Sequence, residues 1–176
     1  MTFTVGFVTG ATPDKWARVW RDRSKERLEL VPVSEGAQLD GVRDGSQSMA
    51  LVRLPVDRDG LHVIPLYEEQ PVAVMSVDNT LTLLDEVTQE DLAEEHQDWG
   101  SLSLDDVVAT VAAGTGVVVV PMSVARMHHR KDLTYRPVGD VPPTSVGLAW
   151  RTDDEDPRVQ TFVGIVRGRS ERSSRS

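Results

Sequence analysis

Apolar positions fall in two rhythms along the chain. In "FTVGFV", Val5, Phe7 and Val8 form a short apolar run that predicts a buried strand. Beyond the loop Thr9 to Thr12, the residues Trp16, Val19, Trp20 and Arg23 recur at helical spacing. They predict a helix reaching about Glu26, with Thr12 as its N-cap and Pro13 at its first position, where a missing N–H costs nothing. "LELVPV" predicts a second strand. Ser34 is expected to cap a short helix through Leu39 and Val42, closed by Gly45, and "MALVRLP" predicts a third strand.

The rhythm then changes. "GLHVIPLYEEQPVAVMS" holds two extended stretches with Glu68, Glu69, Gln70 and Pro71 between them, the pattern of a chain leaving one sheet for another. Thr88 with Asp91 caps a predicted helix "QEDLAEEH"; Ser103 with Asp106 repeats the device for "LDDVVATVAAG", with Gly114 beyond its end. "GVVVVP" has no polar alternation and predicts a fully buried strand of a parallel sheet. Pro121 opens another helix, "TSVGLAWR" is a late strand, and "DPRVQTFVGIVRG" is a last helix with Val159, Phe162, Val163 and Val166 on one face. Alternating strands and helices imply an α/β fold with right-handed crossovers. Boundaries are expected near Gln70–Pro71 and Trp150–Arg151, and the closing "RGRSERSSRS" reads as a disordered tail, residues 169–176.

Composition narrows the function classes. Hydrophobic residues at 39% suffice for a core, and aromatics at 5% make that core aliphatic. The net charge of −9 argues against direct nucleic-acid binding, which needs Lys and Arg against phosphates. The chain has no cysteine, which removes disulfides, thiolate catalysis and Cys-based metal sites. The opening residues lack a signal-peptide pattern, and the longest apolar run is too short for a bilayer. The expectation is a soluble, cytoplasmic protein without membrane contact.

Enzyme signatures are sparse. There is no G-x-S-x-G elbow, H-E-x-x-H pair or Walker A loop. His62 lies in a strand-like segment, and His128 with His129 sits at a helix end, adjacent and so poorly placed to chelate one ion. No catalytic residue, metal site or cofactor is expected. Of the carboxylates, the run Asp153 to Asp156 reads as a solvated loop, while Glu68 and Glu69 lie near the proposed hinge. The strand-to-helix turns carry more. Ligands of open α/β sheets bind beyond the carboxyl ends of strands. Three such ends carry small or polar residues: Thr9 to Thr12, Ser34 with Glu35, and Pro121 to Ser123. Free N–H groups at helix starts suit a small anion, and Arg53 could pair with it in bidentate fashion.

The order of "TVGFVTGATPDKWARVW", "LVPVSEGAQLDGVRDGSQSMALVRLP", "LYEEQPVAVMS", "VTQEDLAEEH", "VVATVAAGTGVVVVPMSVAR" and "VGLAWRTDDEDPRVQTFVGIVRG" resembles the effector-binding domain of LysR-type transcriptional regulators, a type 2 periplasmic-binding-protein fold. The resemblance implies two Rossmann-like lobes joined by two crossover strands, with a small, anionic effector in the cleft. Lobe I comprises 1–70 with 150–168 returning to it, and lobe II comprises 71–149. Carried over by position, Thr9, Gly10, Ala11, Thr12, Ser34, Glu35, Arg53, Leu54, Pro121 and Met122 face the cleft, with Ser76 opposite from lobe II. A homodimer pairing lobe I with lobe II is implied as well.

Two departures stand out. The family's winged helix-turn-helix is absent from this sequence, which is either an excised domain or free-standing. The Met1 start favours the latter, and such a chain is not expected to bind operators. The stretch "HQDWGSLSLD" is short for the family, so lobe II is expected to be trimmed, its side open or occupied by Trp99. The leading reading is a non-enzymatic effector sensor. The alternatives are an enzyme on the same scaffold and a vestigial dimerisation or protein-interaction domain.

Overall fold

The computed structural model describes residues 2–168. In chain order these form β1 (Thr2–Val8), α1 (Asp14–Arg23), β2 (Arg27–Val33), α2 (Asp40–Asp44), β3 (Met49–Leu54), β4 (Leu61–Glu69), β5 (Pro71–Ser76), α3 (Gln89–Leu92), α4 (Leu104–Ala112), β6 (Val118–Pro121), α5 (Met122–Met127), β7 (Leu133–Pro137), β8 (Thr144–Arg151) and α6 (Pro157–Val166). Short 3-10 turns lie at Glu35–Ala37 and Thr80–Leu83. The chain divides into two compact units, one running to Tyr67 and resuming at Ser145, the other Glu68–Thr144.

The first unit is built on a five-stranded sheet in the order β2-β1-β3-β8-β4. β1 runs parallel to β2 and β3, and β8 runs antiparallel to β3. Successive side chains of a strand face opposite ways, and β3 shows it. Met49 and Leu51 join Phe3, Val5, Trp16, Trp20 and Phe162 in one core, while Ala50 and Val52 join Val42 of α2 in another. The helical spacing of Trp16 and Trp20 buries both against this sheet. Trp20 stacks on Phe3 with ring centroids 5.0 Å apart and planes 8° from parallel, and Phe162 of α6 packs at a tilt against both. The buried indole N–H donates to the Glu26 carbonyl at 2.8 Å, so burying Trp20 strands no polar group.

The second unit holds a three-stranded sheet, β6-β5-β7, antiparallel throughout. β5 is buried end to end because both its faces are covered. Val72 and Val74 pack with Val107, Val108 and Val111 of α4 and with Ala125, whereas Ala73 and Met75 pack with Val87, Leu92 and Val138. The helix starts follow the side-chain chemistry. Thr88 and Asp91 form a reciprocal capping box on α3, and Ser103 Oγ accepts the Asp106 N–H on α4.

Several expectations change. Thr12 does not cap α1: Pro13 occupies the N-cap position, and its carbonyl accepts the Trp16 and Ala17 N–H groups at 3.0 Å, leaving Thr12 exposed. That helix ends at Arg23, and the expected helix after Ser34 is a 3-10 turn followed by α2, with Gly45 at φ 84° closing it. The Ser34 side chain makes no capping bond. "GVVVVP" is neither parallel nor fully buried. β6 is an antiparallel edge strand whose Val118 and Val120 meet the core while Val119 is exposed. β7 was not expected from the sequence. The second boundary falls before Ser145, ahead of Trp150, because β8 pairs with β3. The expected disordered tail, residues 169–176, lies outside the described residues.

Candidate functional site

In the first unit, parallel pairing decides what comes together. Val8 lies opposite Val33, and Phe7 lies opposite Leu51, so β1, β2 and β3 end at one edge of the sheet. The segments that follow them carry Thr9 to Thr12, Ser34 with Glu35, and Arg53 with Leu54. The Thr9 N–H donates to the Val33 carbonyl at 3.2 Å, and the Ala11 N–H donates back to Val8 at 3.0 Å. That tight turn puts Gly10 at φ 92°, a conformation open to glycine. Ala11 is buried in the core, while Thr12, Ser34 and Glu35 are exposed. Among the described residues, the Gly10 and Thr12 N–H groups donate to no protein acceptor.

Arg53 is the buried cation of this edge, only 5% exposed. Its Nη1 donates to the Thr9 carbonyl at 3.0 Å. The guanidinium therefore holds the backbone of the first loop. Gln38, which sequence reasoning missed, fixes Arg53 in turn. Its Oε1 accepts the Arg53 N–H at 2.7 Å, and its Nε2 donates to the Arg53 carbonyl at 3.0 Å. A lone Gln in a predicted helix gave no signal of that role. Leu54 packs with the Val42, Ala50 and Val52 cluster.

In the second unit, the expected residues do not converge. Pro121 pairs with Pro71 at the start of β5, whereas Ser76 is the last residue of that strand. Five residues of extended chain separate the two ends, roughly 17 Å. Ser76 is buried, and its Oγ accepts the Asp78 N–H at 3.2 Å, so it serves a turn. Met122 packs on the core beside α4. At the other end, Gln70 does the joining. Its carbonyl accepts the Met122 N–H at 3.1 Å, and its Nε2 donates to the Val138 carbonyl at 2.9 Å. Trp99 leans on the same core and donates its indole N–H to the Val117 carbonyl at 3.0 Å.

Two further titratable groups on the first unit meet local partners. His62 is exposed on β4 with its ring 5.4 Å from Trp150. Asp156 caps α6 and holds the Arg158 guanidinium, whose hydrogen bonds keep the Asp156 carboxyl below the usual carboxylate range. The run Asp153 to Asp156 is therefore only partly a solvated loop. No helix among the described residues is long and apolar enough to cross a membrane.

Comparison with known proteins places this architecture. The HTH-type transcriptional regulator AlsR of Bacillus subtilis (strain 168) is 22% identical over 205 residues, covering 98% of this chain and 68% of AlsR. The OxyR regulatory domain C199D mutant from Pseudomonas aeruginosa superposes with a TM-score of 0.78 at 22% identity, covering 95% of this chain and 96% of that one. The BenM effector binding domain with its effector benzoate gives 0.81 at 19% identity, covering 95% and 90%. These likenesses show the type 2 periplasmic-binding-protein-like fold. The LysR substrate binding domain family model matches residues 7–97 and 97–171, nearly the whole sequence, and the chain belongs to that family, the effector-binding domains of LysR-type regulators.

Proposed function

We propose that this domain is a non-catalytic sensor of a small anionic effector, which binds at the edge where β1, β2 and β3 end. One observation carries the reading. The loop Thr9–Thr12 is tied down by Val33, Val8 and Arg53, yet it leaves the Gly10 and Thr12 N–H groups without a protein acceptor. The first turn of α1 follows directly, and its N–H groups and dipole favour negative charge. The hydroxyls of Thr12 and Ser34 add further donors, whereas the Thr9 hydroxyl donates to the Val33 carbonyl at 3.5 Å. Arg53 contributes by holding the loop in shape, and its charge favours an anion nearby. Glu35 selects against ligands with excess negative charge.

The regulator AlsR and the benzoate carried by BenM support a regulatory, carboxylate-binding reading. Thiol oxidation within this chain is excluded as the signal, because the sequence has no cysteine. The domain acts in the cytoplasm as a homodimer in this reading.

The test is thermal melting against small carboxylates, amino acids and aromatic acids. Ligand binding stabilises the folded state by mass action, about 2.7 kcal/mol at a hundredfold excess over Kd. An effector should raise the melting temperature by several degrees, and Thr12→Val and Ser34→Ala should each blunt the rise. No shift with any anion overturns the reading.

A further inference from the structure

The second unit carries a cavity of about 220 Å³ that lies wholly within its own residues. We propose that this cavity, between the end of α5 and β7, binds a small monocarboxylate with an apolar body, independently of the strand-end edge of the first unit. Its apolar part is made by Val74, Ala125 and Leu133, and its basic side by His128, His129 and Arg130. Tyr135 also lines it, so a single aromatic ring or a short branched chain finds an aliphatic and aromatic wall. Ligand sites commonly pair an apolar lining with a few placed polar groups.

The basic side is preorganised. Arg130 Nε and Nη2 both donate to the Asp132 carboxylate, at 2.9 and 3.0 Å. That fork fixes the guanidinium plane and leaves Nη1 with no protein acceptor among the described residues. His128 is held by Asp105, with Nδ1 3.6 Å from Oδ1, which leaves its other ring nitrogen free of that contact. His129 is exposed beside it. Asp132 pairs with Arg130 and Asp105 lies beside His128, so the site carries little net positive charge. It suits a single carboxylate reached by the remaining Arg130 donor, and a polyanion does not fit. The segment Arg126 to Lys131 is a concentrated stretch of basic side chains on a chain of net charge −9. A charge-assisted bond from Arg130 Nη1 to a carboxylate oxygen, with the apolar body against Leu133, uses both halves of the cavity.

The probe is benzoate, titrated into the full chain up to about 10 mM, the weak end of small-ligand affinity. Benzamide serves as the neutral match. Amide resonances of His128, His129, Arg130 and Leu133 should shift saturably with benzoate, and at least fivefold more weakly with benzamide. Arg130→Gln should weaken benzoate at this cavity at least fivefold with an unchanged melting temperature, since the residue is half exposed. His129→Gln should weaken it by a smaller factor. Shifts at Gly10 and Thr12 report the strand-end edge separately, so the two sites succeed or fail independently. The proposal is overturned if these resonances do not saturate, if benzamide binds as well as benzoate, or if Arg130→Gln leaves the affinity unchanged.

Discussion

Arg53 Nη1 donates to the carbonyl oxygen of Thr9 at 3.0 Å, joining the end of β3 to the loop that follows β1. Arg53 is buried and Thr9 half-buried, so the bond is costly to break. Arg53→Met keeps much of the side-chain volume but leaves the Thr9 carbonyl without its donor. The expected cost is about 2 kcal/mol, in the range for hydrogen bonds to charged groups. Arg53→Lys should recover only part of it, because an ammonium cannot reproduce the fork of donors. Urea unfolding followed by tryptophan fluorescence in a Trp99→Phe background reports this, since Trp16, Trp20 and Trp150 all belong to the first unit. A loss below about 0.5 kcal/mol would assign the bond no role in stability.

Gln38 deserves a matching test because it contacts Arg53 through the backbone alone. Gln38→Leu fills the same space but strands both the N–H and the carbonyl of Arg53 in a buried setting. The expected loss is about 2–3 kcal/mol, measured as a lower urea midpoint with an unchanged slope. A double variant with Arg53→Met should lose less than the sum of the two, because both changes loosen the same loop. Full additivity would show that Gln38 does not act through Arg53.

Much of this edge was legible in the sequence, and the reasons are specific. Trp16 and Trp20 at helical spacing, and the apolar run through "MALVRLP", report burial directly. The pairs Thr88 with Asp91 and Ser103 with Asp106 report helix starts, because capping is local chemistry. Thr12 misled because Pro13 supplies the N-cap position itself, so the preceding hydroxyl has no N–H to meet. The apolar run in "GVVVVP" does mark a strand in a sheet covered on both faces. It cannot report strand direction, and at the sheet edge Val119 outruns the cover. β7 was hidden because "LTYRP" is short and mixes polar with apolar residues. The roles of Gln38 and Gln70 depend on partners 15 and 68 positions away, which no local pattern encodes.

Asp156 predicts a pH signature. Hydrogen bonds from Arg158 are the main cause of its lowered pKa. A carboxyl depressed in the folded state contributes stability above its unfolded pKa, ordinarily about 3.9, and loses it as pH falls through the folded value. Asp156→Asn retains an oxygen to accept the Arg158 N–H but removes the charge. It should cost about 1 kcal/mol at pH 7. The gap from the parent should close as pH drops below about 4. Melting curves between neutral and strongly acidic pH test this, and a gap that stays constant would refute the linkage.

Gly116 and Gly114 form an internal control on the turn between α4 and β6. Both have positive φ, 70° and 100°, so alanine strains either by about 1 kcal/mol or more. Only at Gly116 is there an obstacle: an added Cβ would run into the carbonyl oxygen of His96, whereas nothing lies within 4 Å of one at Gly114. That same carbonyl accepts the Val117 N–H at 2.9 Å, and the Val117 carbonyl accepts the Trp99 indole. Gly116→Ala should therefore push His96 away, free the Trp99 N–H and move that ring from its seat on the core shared by β5 and α4. The expected loss exceeds that of Gly114→Ala by about 1–2 kcal/mol. With Trp16, Trp20 and Trp150 replaced by Phe, Trp99 emission should shift to the red in Gly116→Ala alone. Equal losses in the two variants, with unchanged emission, would mean that the His96 carbonyl yields freely and that Trp99 does not depend on it.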